Sequence, residues 1–284
     1  NKQNSFRHPL KQLPTKIYPI PLSQKFLQKI PYRAKYILKT IFAYKNPLQI
    51  LSIYLFPSPK ETTILELKNG LKFLVRKTIW DTFVLNEIII KKEYAIIEND
   101  FSNPKTIIDV GAHIGGFCVN YADKFPSAKI FCIEPMPKNF ELLSQNIKQN
   151  GLQKRITPIN AAVVGKKTKA NVELFICKEN PACNSLDKGY SVKGSESITV
   201  KAISFSEIFS KNKIRQCDIL KLDCENMELE IIRENKREFQ KIKAVILEYH
   251  YLKNLQKIKK LLEEYGYEFQ LVPNTILAYA KRKG

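Results

Sequence analysis

The sequence contains few of the residues that build metal centres or disulfide frameworks. Its three histidines, His8, His113 and His250, are too few and too widely spaced for a zinc site. The six cysteines include no Cys-x-x-Cys pair and no secretory signal precedes them, so we expect free thiols, no structural metal and a cytoplasmic location. The 284-residue chain also lacks internal repeats, and it is long enough for one large domain with a short appendage.

Acidic residues are absent from the first 60 positions, which contain eleven Lys or Arg. The remainder carries 36 basic residues against 27 acids, and the whole chain has a formal net charge of +20. The positive electrostatic potential of such a chain favours anionic partners, such as nucleic acid, an acidic membrane surface or phosphorylated substrates. We therefore divide the chain into a basic N-terminal arm, residues 1–60, and a globular domain, residues 61–284, with a lead-in over 61–100 and a core over 101–284.

The arm also lacks a long apolar run. Five prolines between positions 9 and 31 predict an extended or disordered first part. From Arg33 to Tyr44 apolar residues recur on one helical face, but charged and polar residues interrupt every window long enough to cross a membrane. This basic amphipathic helix either lies on an anionic membrane surface, which would make the protein peripheral at the inner membrane, or docks on the protein core, as amphipathic helices most often do.

From Thr106 onward strand and helix patterns alternate, which indicates a parallel sheet covered by helices on both faces. We predict strands at 106–110, 129–133, 156–163, 218–222 and 244–249, and helices at 116–125, 137–150, 227–238 and 252–265. An Asn-Gly turn joins 62–67 and 71–75 in a hairpin, 170–203 forms a second hairpin, and 267–272 pairs with 276–280. The predicted fold class is α/β, a doubly wound and mostly parallel sheet of seven strands.

The strand Ile107–Val110 ends on a glycine-rich turn, Gly111–Gly116, and a helix follows at once. Such a turn exposes bare backbone and the free N–H groups of a helix start, where nucleotide-like cofactors bind. A nicotinamide fingerprint would need glycine at position 113, where His113 stands. Glu134, at the end of the next strand, has the spacing typical of a carboxylate that binds ribose hydroxyls.

Three motifs carry a resemblance to a known family: Asp109-Val-Gly-Ala-His-Ile-Gly115, Ile133-Glu134-Pro135 and Leu220-Lys-Leu-Asp-Cys-Glu-Asn-Met-Glu228. In this order they resemble the FkbM family of S-adenosylmethionine-dependent methyltransferases, and the similarity covers most of residues 62–280. That family usually has Asn where His113 stands and Gly-Ala where Asn226-Met227 stand. The resemblance implies a Rossmann-like methyltransferase sheet with S-adenosylmethionine as cofactor.

The resemblance also implies roles for single residues. It places Asp109, Gly111, His113 and Gly115 at the amino-acid end of the cofactor, Glu134 at its ribose, and Asn160 and Ala161 beside its adenine. The family tends to have an Asp, a Glu and a Tyr in the lead-in, as Asp81, Glu87 and Tyr94 do here. Glu87 and Tyr94 either border the methionine end of the cofactor or have surface and packing roles.

The loop after the fourth strand, Asp223-Cys-Glu225, supplies two carboxylates where the reacting group is expected. An acidic loop suits removal of a proton from a hydroxyl, directly or through a bound metal, whereas methylation of a nucleobase usually relies on other residues there. We therefore name Asp223 and Glu225 as candidate catalytic residues. His250 competes as a base, since the ordinary pKa of histidine, about 6.5, suits that task.

The predicted function is transfer of a methyl group from S-adenosylmethionine to a hydroxyl of a sugar, glycolipid or other secondary metabolite. One alternative is an RNA methyltransferase that uses the basic arm as a phosphate clamp, although nucleic acid is the less expected partner. Another is a membrane-surface adaptor without catalysis, which the unusual residues His113 and Asn226 would support. A peripheral contact with an anionic membrane is open in each case.

Overall fold

The structure, a computed structural model, describes all atoms of residues 38–177, 184–188 and 196–283, and the backbone of residues 32–37. The extended segment predicted before residue 32 lies outside the described residues, as do residues 178–183 and 189–195 of the second hairpin. In chain order the strands are β1 (Ser58–Glu66), β2 (Lys72–Lys77), β3 (Thr106–Val110), β4 (Lys129–Ile133), β5 (Ile156–Ile159), β6 (Ala162–Val164), β7 (Asn171–Phe175), β8 (Ser197–Ser204), β9 (Cys217–Leu222), β10 (Ile242–Glu248), β11 (Tyr267–Leu271) and β12 (Leu277–Arg282). The helices are α1 (Tyr32–Ala43), α2 (Pro47–Leu55), α3 (Ile79–Ile89), α4 (Ile96–Asp100), α5 (Gly116–Lys124), α6 (Pro137–Gln149), α7 (Phe205–Lys211), α8 (Glu228–Glu234), α9 (Lys236–Phe239) and α10 (Leu252–Glu264).

Seven strands form one sheet in the order β11-β12-β10-β9-β3-β4-β5. The five strands from β10 to β5 are parallel, whereas β12 runs antiparallel to both of its neighbours, β10 and the edge strand β11. This confirms the predicted α/β class and the closing pair. The strand order reverses between β3 and β9, and ligands of open α/β sheets bind outside the carboxyl ends of the strands at such a point.

Alternate residues of the central strands face opposite sides of the sheet. Ile107, Ile219 and Ile246 pack in one apolar cluster with residues of α5 and α6. Their neighbours Ile108, Leu220 and Leu247 pack in a second cluster with α7, α8 and α10. Because both faces are buried, these strands are apolar along almost their whole length, which is why their positions could be predicted.

Two predicted elements end earlier than expected. The strand predicted at 156–163 stops at Ile159, because the Asn160 side chain turns back to donate a hydrogen bond to the Glu134 carbonyl (2.8 Å). The following strand, β6, pairs with β8 in a separate three-stranded sheet. The helix predicted at 227–238 breaks at Asn235. Its Nδ2 donates to the Ile231 and Gly165 carbonyls, both at 2.9 Å, and so ends the first helix.

The two predicted hairpins are present, β1 with β2 and β7 with β8. The N-terminal helices dock beside the first of them: Ile50 and Ile53 of α2 are buried, and Tyr44 donates to Asn86 of α3 (3.0 Å). Asn86 in turn donates to Thr40 of α1 (3.0 Å), so the inner side of these helices packs on the protein core. None of the helices in the described part of the chain is both long and apolar enough to cross a membrane.

The turn after β3 touches the loop after β9. Gly111 has a φ of +79°, and a Cβ atom built on it would lie 1.7 Å from the carbonyl oxygen of Asp223. Only glycine allows this approach, since any side chain would push the two segments apart. The glycine turn therefore fixes the distance between the two loops that border the site.

We predict that Gly111→Ala lowers the free energy of unfolding by more than about 2 kcal/mol, because it combines positive-φ strain with a backbone clash. Gly70→Ala is the matched control: its φ is +94°, no atom lies within 4 Å of the added Cβ, and we expect a cost of about 1 kcal/mol. Denaturant unfolding followed by circular dichroism measures both values. Equal losses in the two variants would contradict the close approach of the loops.

Candidate active site

A cavity opens at the carboxyl ends of β3, β4, β9 and β10. Six of the residues predicted from the sequence line it, namely Gly111, His113, Glu134, Ala161, Asp223 and Glu225. Glu87 and Tyr94 of the lead-in also line it, together with Trp80, Phe83 and Val84 on α3 and Glu248 at the end of β10. The predicted strand-end residues therefore meet at one edge of the sheet, as the topology requires.

Four predicted residues do not reach the cavity surface. Gly115 begins α5 in the left-handed conformation (φ +92°), and exposed Asn160 holds the backbone after β4. His250 lies behind Glu225. Asp109 is completely buried beneath the glycine turn. The side chain of Asp109 thus supports the cavity from behind and does not form its wall.

Lys221, which the sequence analysis did not single out, is the partner of Asp109. Its ammonium lies 3.1 Å from Asp109 and 3.3 Å from Asp223, and it donates to the Gly111 carbonyl at 3.0 Å. Burial lowers the pKa of Lys221, but the two carboxylates outweigh it and raise the pKa above its ordinary value. The one signal in the sequence was a lysine inside the otherwise apolar run Ile219–Leu222.

Glu134 is buried at the end of β4. One carboxylate oxygen accepts the backbone N–H of His113 (2.9 Å), and the other accepts the backbone N–H of Met136 (2.9 Å) and the amide of Asn139 (3.3 Å). Burial raises the pKa of Glu134 to about 7 in spite of these bonds. The oxygen bonded to His113 can accept a second hydrogen bond from a ligand, because a carboxylate oxygen offers two lone pairs.

His113 is held from behind by residues of the lead-in. Arg76 forms a bidentate pair with Asp81 (2.9 and 2.7 Å) and lies 3.3 Å from Nε2 of His113. Burial lowers the pKa of His113 to about 4, so the imidazole is neutral. Since arginine only donates, Nε2 accepts and Nδ1 carries the proton; among the described residues Nδ1 has no hydrogen-bond partner.

The loop after β9 turns sharply because Glu225 and Asn226 both have positive φ, 51° and 81°. The Ser185 hydroxyl donates to the Glu225 carbonyl (2.6 Å), and Asn226 donates to Asp187 (2.5 Å). These two bonds tie the loop to the insertion between β7 and β8. The side chain of Asp223 is one quarter exposed (25%) at the cavity surface, whereas that of Glu225 points back toward His250.

His250 is a buried cation and not a free base. Its Nε2 lies 3.0 Å from Glu225 and 3.5 Å from Glu248. Burial alone would lower the pKa of His250, but the carboxylates of Glu225, Glu228 and Glu248 outweigh it and raise the pKa well above its ordinary value. Asp223, Glu225 and His250 also bring potential metal ligands within 4.8 Å of one another, and a metal ion bound there would displace the proton of His250.

The acceptor side of the cavity is acidic and partly aromatic. Burial and the nearby Glu93 raise the pKa of Glu87 to about 8, and burial together with Asp223 raises the pKa of Glu248 well above its ordinary value. A pKa of about 8 leaves the carboxyl group of Glu87 mostly protonated at neutral pH, so that it can donate a hydrogen bond. Trp80 and Phe83 lie half-buried on the same wall.

A family model for the methyltransferase FkbM domain matches residues 109–269, more than half of the chain. The hexuronic acid methyltransferase AglP of Haloferax volcanii is 25% identical over 156 residues, which cover 55% of this chain and 60% of that protein. The chain thus spans less than two thirds of this relative. The methyltransferase sdnD of Sordaria araneosa is 26% identical over 213 residues, covering 66% of this chain and 82% of that protein. Among solved structures, a SAM-dependent O-methyltransferase of Thermotoga maritima is 15% identical, with a TM-score of 0.42 and 78% of each chain covered.

The buried pair of Lys221 and Asp109 generates a prediction about stability. Lys221→Met leaves the Asp109 charge buried without its partner and should lower the free energy of unfolding by about 3–5 kcal/mol. The double variant Lys221→Met with Asp109→Asn removes both charges and should recover at least half of that loss. Denaturant unfolding of the single and double variants measures the coupling, and additive losses would contradict it. Lys45→Met, in the half-exposed pair with Glu66 (2.8 Å), is the control and should cost at most about 1 kcal/mol.

Proposed function

The chain belongs to the FkbM family of methyltransferases, and from that membership we propose that it transfers a methyl group from S-adenosylmethionine to a hydroxyl oxygen of a small, neutral acceptor such as a sugar or glycolipid. The observation that carries the proposal is the arrangement of one cavity. The glycine turn and Glu134 form one side of it, while Asp223 and the carboxyl groups of Glu87 and Glu248 form the other. A cofactor side and an acceptor side therefore face each other across a short distance.

The cofactor side fits S-adenosylmethionine on two observations. The buried Nδ1–H of His113 is a donor without a partner among the described residues, and it suits the carboxylate of an amino acid. Glu134 has one lone pair left to accept a ribose hydroxyl, and Ala161 offers a flat apolar surface for an adenine ring. When bound, this cofactor supplies a methyl group carried on a positively charged sulfur. Asp109 supports the glycine turn and Asn160 holds the backbone after β4, and neither touches a ligand in this proposal.

Asp223 is the proposed base. It lines the cavity, and its carboxylate is one quarter exposed. With S-adenosylmethionine as the methyl donor, Asp223 would accept the proton of the acceptor hydroxyl while its oxygen is methylated, and the sulfur would leave with the electron pair of its bond to the methyl group. A hydroxyl is a poor nucleophile at neutral pH, which is why a positioned base accelerates the step. Glu225 pairs with protonated His250 and orients the loop, so neither serves as the base.

The charges of the cavity indicate which acceptor it takes. Of the cavity-lining residues that the structure describes, Lys221 is the one permanent cation, and Asp109 and Asp223 already pair with it. An anionic acceptor would meet the negative charge of Asp223, and the described lining residues offer no further cation to balance it, which is costly in a buried site. A neutral polyhydroxyl compound can accept a hydrogen bond from Glu87, donate one to Glu248 and pack against Trp80 and Phe83. We therefore propose a neutral sugar acceptor, although the Haloferax relative is named for a hexuronic acid.

The role of Glu134 predicts a pH dependence of cofactor binding. Its pKa in the free protein is about 7, and ribose hydroxyls stabilise the ionised form, so the carboxylate binds best above that pH. Affinity for S-adenosylmethionine should rise about tenfold between pH 6 and pH 8. Glu134→Gln should weaken binding at pH 8 by about tenfold and remove most of this dependence.

Isothermal titration calorimetry of the two proteins across this pH range measures the effect. Glu141→Gln, which changes an exposed carboxylate on α6, is the matched control and should bind like the wild type. Unchanged affinity in the Glu134 variant would remove the residue from the cofactor site. A complete absence of binding to any of the proteins would favour the adaptor without catalysis.

The assignment of the base predicts a difference in turnover. Asp223→Asn should slow single-turnover methyl transfer by about two to four decades, with cofactor affinity changed less than about threefold. Glu225→Gln and His250→Gln should slow it by less than about tenfold, since they disturb only the loop. The measurement uses labelled S-adenosylmethionine at saturation with a panel of neutral sugars, uronic acids, glycolipids and RNA. A collapse of the rate in His250→Gln alone, or transfer to RNA alone, would refute this assignment.

A further inference from the structure

The outer side of α1 and α2 carries an exposed apolar surface, here called the outer patch. It consists of Phe42 (67% exposed), Leu48 (77%), Leu51 (41%), Leu55 (61%) and Phe56 (69%). Eight large apolar side chains are strongly exposed in the described part of the chain, and five of them belong to this patch. Single exposed apolar residues are ordinary, whereas a contiguous group on a soluble surface marks an interaction site.

The outer patch sits on a firmly held helix. Ile50 and Ile53 on the opposite face of α2 are completely buried in the core of the domain. Just before α2, Asn46 donates to the Ile64 carbonyl (2.6 Å) and accepts from the Glu66 backbone N–H (3.0 Å). The apolar side chains are therefore presented outward by a packed element, which makes the patch part of the fold.

The charges around the outer patch select its partner. Residues 1–60 contain eleven basic residues and no acid, and both Lys39 and Lys60 are exposed. A second copy of the chain would bring two such basic segments together, which like-charge repulsion opposes. Nucleic acid supplies the negative charge but no apolar surface to cover leucine and phenylalanine side chains. A lipid bilayer with anionic headgroups offers both.

We propose that the outer patch docks this protein on the surface of an anionic lipid bilayer. In this arrangement α2 lies in the plane of the interface, with Leu48, Leu55 and Phe56 at the boundary of the acyl chains. In this proposal the exposed Lys39 and Lys60 lie among the anionic headgroups. Apolar burial and electrostatic attraction contribute together, so binding requires both the patch and the anionic lipid. The proposal is independent of the chemistry in the cavity.

The test is flotation of the full chain with vesicles of phosphatidylcholine, alone or mixed with phosphatidylglycerol. The wild type should partition onto the mixed vesicles, and a triple variant, Leu48→Asn with Leu55→Asn and Phe56→Asn, should partition at least about tenfold less. The double variant Leu252→Asn with Leu271→Asn is the matched control. It removes two exposed leucines (44% and 50%) outside the patch and should bind as the wild type does. Thermal unfolding establishes that both variants keep the fold.

Three outcomes would overturn the proposal. Equal partition of the triple variant and the wild type would mean that the patch does not touch lipid. A wild-type dimer in light scattering that dissociates in the triple variant would identify a second copy as the occupant. Stronger vesicle binding after deletion of residues 1–31 would show that this segment covers the patch. We expect weaker binding instead, because the deletion removes six basic residues and leaves the patch in place.

Added salt should weaken the binding to anionic vesicles by screening the charges, since the Debye length falls to about 3 Å at 1 M.

Discussion

One buried ammonium group holds the two sides of the site together. Lys221 contacts Asp109 beneath the glycine turn, the Gly111 carbonyl within it, and Asp223 on the facing loop. A buried ion is stable only when its oppositely charged partner is present, because an unpaired buried charge costs about 3–5 kcal/mol. The steric limit at Gly111 acts from the other direction and allows no side chain between the loops. The ion pairs of Lys221 and the backbone contact at Gly111 together fix the distance between the glycine turn and the loop after β9. The positions of Glu134, His113 and Asp223 depend on that distance.

The sheet could be predicted from the sequence because its physical cause is local. Strands buried on both faces are apolar throughout, and the helices between them repeat their apolar residues with a different period. The two departures from the family pattern are explained by the backbone. His113 and Asn226 have φ angles of 51° and 81°, in the left-handed region that glycine, asparagine and histidine tolerate better than most residues. The turn and the loop therefore keep their shapes, which favours an active enzyme over a silent one.

The remainder of the site depends on contacts between distant segments, which a local pattern does not reveal. His250 looked like an ordinary base in the sequence, but the carboxylates of Glu225 and Glu228, from the segment after β9, and of neighbouring Glu248 raise its pKa well above the ordinary value. Burial, which the sequence does not show, raises the pKa of both Glu87 and Glu248. The helix expected over Arg33–Tyr44 corresponds to α1, and the sequence left open whether it docks on the core or lies on a membrane. In the structure Thr40 of α1 is bonded to Asn86 of the domain, which supports docking, while the membrane contact stays a proposal.

Asn86 connects the outer helices to the cavity. It lies on α3 beside Glu87, which lines the cavity, and its amide is bonded to Tyr44 and Thr40. The wall of the cavity and the helices that carry the outer patch are therefore connected through this one buried side chain. If the outer patch docks on a membrane, the mouth of the cavity would keep a constant height above the membrane surface and a constant tilt relative to it. A long acceptor anchored in the same membrane could then place in the cavity only those hydroxyls that lie at one distance from its anchor.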